Sequence, residues 1–305
     1  MAQGCSASWA RLTLGALVLV SLRPASASAF CRESVVAQGQ GPCVEEPGVP
    51  LLFWSAPRNC LTYRFNEQFW VRVPLLSEKE IRQAFSGAFR AWASISCADR
   101  RDMAFLVEQF RGTTPTSAAE FLYDAANESV IAARTRAEWQ ALEDHSANAV
   151  ALTLVWHDKS TGEILDVDME LNTGAGSFND CQKQSCSAGM LDLQNTVTHE
   201  AGHLLGLGHS TVAGSTMQAT TSDKPETTKR TLEADDQAGY CSLDLPGFRC
   251  RGNDCTCPEP PTFSSRAQPE TSGGCHTLGA SGGSGAGAVT MLALLVMLCR
   301  RRQRV

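Results

Sequence analysis

The stretch HEAGHLLGLGHS occupies residues 199–210 and decides the fold of this 305-residue chain. His199 and His203 are four residues apart, so on a helix they lie one turn apart on the same face. Gly206 allows the backbone to leave the helix in a left-handed conformation and to return with His209. Three histidine ligands leave one position of a tetrahedral zinc ion open, which is typical of a catalytic zinc site.

Glu200 is the predicted catalytic residue because it follows the first histidine directly and would lie next to the metal. A carboxylate at that position can accept a proton from the water that attacks a peptide carbonyl polarised by zinc. The sequence therefore predicts a zinc-dependent peptide hydrolase whose metal ligands are His199, His203 and His209. The alternative is a helix whose histidines only pack against one another.

The spacing H-E-x-x-H-x-x-G-x-x-H resembles the signature of the metzincin zinc proteases. Ser210 after the third histidine, and Met217 eight residues beyond that histidine, are similar to the matrixin branch, the family of the matrix metalloproteinases. The resemblance implies that Met217 forms a methionine turn under the metal, and that a helix at 232–240 packs beneath this turn. It covers roughly residues 50–242 and is most specific over 191–241.

The resemblance also implies an α+β fold with a twisted mixed β-sheet, an active-site helix and a small irregular C-terminal lobe that carries His209 and Met217. Local patterns agree with a strand-then-helix opening, in which Ser77 caps a helix with one apolar face. That face consists of Ile81, Ala84, Phe85, Ala88, Phe89 and Trp92. Strands are predicted at 61–65, 103–110, 130–134, 149–156 and 163–172. The last two form a hairpin, Asp192 is the expected cap of the active-site helix, and the resemblance implies that one strand of this region pairs with extended substrate.

Acidic residues alternate along the second strand of the hairpin, at Asp166, Asp168 and Glu170, and therefore share one face. Matrixins bind calcium near such acids, but the spacing here matches no defined Ca²⁺ motif, so the sequence favours a solvated acidic face. His145 and His157 depart from the spacing of the second, structural zinc of vertebrate matrixins and are interpreted as loop histidines.

Residues 1–29 are predicted to be a secretory signal peptide. Arg11 precedes the apolar run 12–20, and Ala27-Ser28-Ala29 supplies small residues at cleavage spacing. A membrane anchor, the alternative, needs a longer apolar run. The net charge of −6 and the isoelectric point near 5.6 argue against a nucleic-acid partner.

Export makes the cysteine content informative, because an even set of cysteines in an oxidising compartment indicates disulfides. Ten of the 13 cysteines belong to the predicted ectodomain: Cys31, Cys43, Cys60, Cys97, Cys181, Cys186, Cys241, Cys250, Cys255 and Cys257. The pairing stays open, although Cys181 and Cys186 could close a short local loop. A zinc–thiolate cluster of the last three cysteines is the rival interpretation.

Composition divides the rest of the chain. Residues 30–246 are the predicted protease domain with an irregular N-terminal strap, 247–274 a Cys/Pro/Ser/Gly-rich linker and 275–305 a tail. In the tail, a lone cysteine, an apolar run and an arginine cluster resemble the MYXO-CTERM sorting tails of myxobacterial surface proteins. This resemblance implies a bacterial source, membrane association, and recognition by sorting machinery with processing near Cys275. A permanent single-pass anchor is the alternative.

The sequence thus predicts an exported zinc metalloendopeptidase, secreted or anchored at the cell surface, that acts on protein or peptide substrates. A surface binding or adhesion protein that keeps zinc for stability alone is the rival, and the presence of Glu200 favours catalysis. The N-terminal region contains no P-R-C-G-x-P-D cysteine switch, so latency, if there is any, must depend on another device.

Overall fold

The computed structural model describes residues 30–243, apart from 37–44, 56–59, 99–106, 118, 123–126, 143–144 and 222–224, together with the backbone of a strand at 269–278. The predicted signal peptide, most of the predicted linker and the apolar run of the tail lie outside these residues. Within the described part of the chain, no helix is both long and apolar enough to cross a membrane.

Nine strands and five helices make up the described fold. The strands are β1 (Cys60–Asn66), β2 (Val107–Thr114), β3 (Ser129–Arg134), β4 (Ala149–Asp158), β5 (Ile164–Asn172), β6 (Ser177–Asn179), β7 (Met190–Asp192), β8 (Thr220–Thr221) and β9 (Pro269–Leu278). The helices are α1 (Phe69–Arg72), α2 (Glu78–Ala93), α3 (Arg136–Gln140), α4 (Leu193–Leu204) and α5 (Ala234–Ser242), with a 3-10 turn at Thr228–Arg230.

The main sheet is mixed, with the strand order β2-β1-β3-β5-β4-β9-β8. Strands β2, β1, β3 and β5 pair in parallel. Strands β4 and β5 pair antiparallel and form the predicted hairpin. Strand β9 was not predicted, and it crosses the predicted boundary between linker and tail at residues 274 and 275.

Helix α2 packs one apolar face between the sheet and α4, and its start follows the predicted cap. The Ser77 side chain accepts a hydrogen bond from the backbone N–H of Glu80, whose carboxylate accepts one from the Ser77 N–H. The predicted apolar residues of the helix are buried, except for the partly buried Ala84. Trp92 reaches α4, where its Nε1–H donates a 2.8 Å hydrogen bond to the carbonyl of Thr198.

The prediction of a solvated acidic face on β5 is wrong, because Asp166, Asp168 and Glu170 are all buried. Burial raises the pKa of Asp166 to about 7 and holds that of Asp168 well above its ordinary range. Asp168 accepts hydrogen bonds from the Val130 N–H and the Trp156 indole, and the Arg134 guanidinium pairs with Glu170. These partners explain how the acids are accommodated inside the fold. Among the described residues, they join no group of three side chains that could hold a metal, so a calcium site gains no support.

The interpretation of His145 and His157 as loop histidines is half wrong. His145 lies in the loop before β4, but its side chain is buried and its Nε2 lies 2.5 Å from Glu170 Oε2. His157 is inside β4 and fully buried. Neither belongs to a candidate metal cluster in the described part of the chain.

Two disulfides close loops of very different size. Cys181–Cys186 forms the short local loop that the sequence suggested, and Cys97–Cys241 joins the segment after α2 to α5, across 144 residues. Cys31 is also disulfide-bonded. A cross-link over so long a loop stabilises the fold mainly by restricting the unfolded chain, by about 5 kcal/mol in the chain-entropy estimate.

A buried arginine fixes the start of helix α4. Asp192 caps α4 by accepting from the Asn195 N–H, and its two oxygens accept hydrogen bonds of 2.7 and 2.5 Å from the Arg230 guanidinium. Arg230 also donates to Asp180 at 2.7 Å. Arg230 with its two carboxylate partners, Asp192 and Asp180, is called the Arg230 clamp. It holds the C-terminal lobe against the N-terminus of α4.

We expect Arg230→Ala to lower the free energy of unfolding by about 3–5 kcal/mol, because it leaves the fully buried Asp192 carboxylate without its cation. Urea denaturation measures this loss. Lys183→Ala is the matched control: Lys183 pairs with Asp180 but is 62% exposed, so its removal should cost under about 1 kcal/mol. Equal losses in the two variants would contradict the assignment of the clamp to Arg230.

Candidate metal centre

Helix α4 carries the first two candidate ligands on one face, as the four-residue spacing predicts. The side chains of His199 and His203 are fully buried, and their Nε2 atoms lie 3.2 Å apart. Glu200, between them in sequence, is buried as well.

Gly206 turns the chain back toward the same centre. Its φ of +97° belongs to the left-handed region, and a Cβ there would lie 3.2 Å from the Leu52 carbonyl oxygen. The turn delivers His209, so that one ligand nitrogen from each of the three histidines lies within 4.8 Å of the other two. The three histidines that the sequence singles out therefore form one buried cluster.

The hydrogen bonds of the histidines point to a cation. The Nδ1 atom of His199 lies 2.6 Å from the Thr216 carbonyl, and that of His203 lies 2.8 Å from the Leu207 carbonyl. A carbonyl only accepts, so each Nδ1 carries a proton, and in the neutral imidazole the Nε2 atom then presents a lone pair. Two lone pairs that face each other at 3.2 Å repel unless a cation lies between the rings. Three neutral imidazoles in one buried cluster fit zinc.

Met217 lies directly beneath this cluster and packs against Gly202 of α4. A Cβ on Gly202 would lie 2.1 Å from the Met217 Sδ atom and 2.9 Å from Trp92 Cζ2. Only a residue without a side chain fits between the two ligands of the helix at this distance. Packing thus explains the glycine directly before His203, at a position that the motif itself leaves open.

Gly202→Ala should lower the free energy of unfolding by about 1–3 kcal/mol, because the new methyl group overpacks a site closed by Met217 and the buried Trp92. We expect zinc affinity to fall with stability, since the methionine turn must move. Chemical denaturation and zinc titration on the same preparation measure both effects.

Gly87→Ala is the matched control for that variant. It also lies inside a helix, and its Cβ would meet only the end of the flexible Gln194 side chain, at 2.8 Å. Alanine stabilises a helix by about 1 kcal/mol relative to glycine, which offsets the cost of moving the Gln194 side chain. The free energy of unfolding of this variant should therefore be nearly unchanged. A loss as large as that of Gly202→Ala would mean that the clash with Met217 is not the cause.

Asp236 holds the methionine turn in place, a role that the sequence did not reveal. The backbone N–H groups of Thr216 and Met217 donate to its two oxygens at 2.8 and 3.0 Å. Its Oδ2 also accepts from the Glu233 N–H at the start of α5. The predicted helix at 232–240 therefore supports the turn through one buried carboxylate.

Glu33 of the N-terminal strap contacts a candidate metal ligand. Its Oε1 lies 3.0 Å from His203 Nδ1, which also donates to Leu207. Burial lowers the pKa of His203, but the Glu33 carboxylate outweighs it and holds this pKa above its ordinary value. Carboxylates that accept from a ligating histidine orient its ring and make it a stronger ligand. The strap is joined to the site by further backbone bonds, from Glu33 N to the Gly206 carbonyl and from Gly208 N to the Cys31 carbonyl.

Thr153 of β4 orients the Glu200 carboxylate. The Thr153 hydroxyl donates a 2.8 Å hydrogen bond to Glu200 Oε2, and Oε1 is buried with no hydrogen-bond partner in the described part of the chain. Burial raises the pKa of Glu200 to about 7, against the opposing effects of His203 and the Thr153 hydrogen bond. A bound zinc ion would add a positive charge that lowers this pKa. A carboxylate with one oxygen held by Thr153, and the other without a partner among the described residues, suits proton transfer.

The fold and the site together define a metzincin-like α+β protein. It has a twisted mixed sheet, a helix that carries two of the histidines, and a small, largely irregular lobe that carries the third histidine and the methionine turn. The predicted fold class is confirmed.

A family model and one plant protein are similar to this chain. A family model described as Matrixin, within the M10 peptidases, matches residues 103–243, which contain α4, the three histidines and Met217. The chain is also 44% identical over 61 residues to Metalloendoproteinase 1-MMP of Arabidopsis thaliana. That alignment covers 20% of this chain and 16% of the plant protein, about a sixth of its length. Both similarities support a zinc metalloprotease.

Proposed function

We propose that the chain is a matrixin-type zinc endopeptidase, in which His199, His203 and His209 hold one zinc ion. The observation that carries the proposal is the buried three-histidine cluster with the Glu200 carboxylate in the same segment of α4. When bound there, zinc supplies a Lewis acid that polarises a peptide carbonyl and acidifies water.

Glu200 performs the proton transfers in this proposal. Its Oε1, free of other partners among the described residues, accepts the proton of the attacking water, and Oε2 stays fixed by the Thr153 hydroxyl. The same oxygen then donates that proton to the departing amine, so that the carboxylate is regenerated. Glu33 and the Thr216 carbonyl hold the imidazole rings of His203 and His199 in the orientation required of ligands.

Export belongs to the proposal as well. The Cys97–Cys241 and Cys181–Cys186 disulfides are typical of proteins that fold in an oxidising compartment. They support the signal peptide predicted at residues 1–29 and a location outside the cytoplasm. Membrane association through the C-terminal tail, with sorting near Cys275, rests on the sequence alone.

Cleavage of an unstructured protein such as casein tests the proposal. Hydrolysis that requires one equivalent of zinc and that a zinc-chelating hydroxamate blocks would support an endopeptidase. Full zinc occupancy and native stability without cleavage would contradict it, and would favour the rival class of a zinc-stabilised binding or adhesion protein.

A further inference from the structure

The edge of β4 that faces away from β5 is already paired with another segment of the chain. Strand β9 runs antiparallel to β4, from Pro269 opposite Asp158 to Thr277 opposite Ala149. Main-chain pairing of an extended segment along an exposed sheet edge is a general mode of peptide binding. The chain thus supplies a peptide to its own sheet edge.

The pairing passes next to the candidate catalytic residue. Thr153, which donates to the Glu200 carboxylate, is opposite Gly274 in the ladder. Cα atoms of β9 also come within 8 Å of Cα atoms of α4. Gly273 and Gly274 are adjacent at this point, and glycine within a strand often marks a close approach of another backbone.

The C-terminal end of β9 has a second main-chain contact. Thr277 and Leu278 pair in parallel with Thr220 and Thr221 of β8, a short strand that begins three residues after Met217. The segment therefore lies between β4 on one side and the chain that follows the methionine turn on the other. These two elements flank the centre formed by the three histidines.

We propose that Pro269–Leu278 is a peptide ligand of the chain's own cleft, and that it occupies the position of an extended peptide substrate. The inference rests on the proposed endopeptidase function for its biological meaning. It supplies a means of latency to a chain whose N-terminal region has no cysteine-switch motif. An external substrate must displace the segment before it can reach Glu200.

The tether makes this competition effective. A segment joined covalently to its own binding site competes at an effective concentration of about 1 mM. Against a peptide that binds with a Kd of about 0.1 mM, that concentration raises the apparent KM of an external substrate about tenfold. A mature form in which β9 is detached should show the correspondingly lower KM.

The full chain with Ser272→Pro and Gly273→Pro tests the proposal. Successive N–H groups of a strand point to opposite sides, so two adjacent prolines remove a ladder donor on the β4 side whichever residue supplies it. The matched control carries Ser264→Pro and Ser265→Pro, which precede the strand. A second ladder variant carries Thr271→Pro and Ser272→Pro, so that an effect seen in both ladder variants is not due to a local folding defect at one position. Thermal unfolding shows whether each variant is folded.

Binding is measured in the Glu200→Gln background with a fluorescently labelled synthetic peptide of sequence 269–278. We expect the ladder variants to bind the added peptide about tenfold more tightly than the unbroken chain and the control. Equal affinity in all chains, or no binding by the ladder variants, would overturn the inference.

Turnover of a fluorogenic peptide by the chains with Glu200 intact separates this inference from the proposed function. Lower apparent KM in the ladder variants at unchanged kcat supports both. A binding difference without any hydrolysis would leave the inference standing and remove the endopeptidase function. Hydrolysis with equal KM and equal peptide binding in all chains would overturn the inference and leave the endopeptidase function standing.

Discussion

Glu200→Gln should reduce turnover by about 10⁴-fold or more while zinc stays bound. The substitution keeps the size of the side chain and all three histidines, so zinc content and thermal stability should change little. In the proposed mechanism, it removes the carboxylate oxygen that accepts the proton of water and returns it to the departing amine. General acid–base catalysis is typically worth about 10²–10⁴-fold, and both proton transfers depend on this one group.

Turnover of one fluorogenic peptide, with zinc quantified on the same samples, measures that loss. Thr153→Val is the matched control, because it removes the hydrogen bond to Oε2 but keeps the carboxylate. One hydrogen bond to a charged group corresponds to about 1.5–3 kcal/mol, so the control should lose about 10–100-fold. Turnover near that of the wild type in Glu200→Gln, at full zinc occupancy, would rule out the mechanism.

His209→Ala is expected to weaken zinc binding by more than about 100-fold and to abolish activity with it. Removal of a partner of a ligand already costs about 10–100-fold in metal affinity, and here a ligand itself is removed. Competition with a chromogenic chelator measures the affinity.

His145→Ala separates loss of a ligand from loss of any buried histidine. It removes one of two partners of Glu170, away from the three-histidine cluster, and should lower stability without changing the zinc stoichiometry. Normal zinc affinity in His209→Ala would show that the third ligand is misassigned.

The cluster of three histidines could be predicted from the sequence because its spacing is local. A helix places His199 and His203 on one face. A left-handed backbone conformation at Gly206 then returns the chain to the same centre within three residues, at His209. The hairpin and α2 were also predictable, since periodicity and the Ser77 cap lie within single elements. Each of these features depends on residues close together in the chain.

The partners of the site could not be predicted, because they come from distant segments. Glu33 lies 170 residues before His203, in a strap without periodicity, and Thr153 is one of several polar residues in an otherwise apolar strand. The burial of Asp166 and Asp168 was missed for the same reason. Alternation along β5 shows that the acids share a face, but the groups that donate to Asp168, the Val130 N–H of β3 and the Trp156 indole, are visible only in the fold.

The strand at 269–278 was missed for a different reason. The segment contains glycine, serine and threonine, a composition typical of linkers. No local pattern marks a segment that forms a strand by pairing with an existing sheet edge.

The attachment of the N-terminal strap to the metal centre has a consequence for the order of events during biosynthesis. Cys31 and Glu33 bond to Gly208 and His203, and the Phe30 N–H donates to Asp235, 205 residues further along. Contacts over such separations form late in folding, because the loop between them must close first. A growing chain would therefore hold its histidines without their full support. We expect zinc capture, followed in time during refolding, to coincide with the last kinetic phase, so that the candidate metal centre is complete only once the entire domain has been assembled.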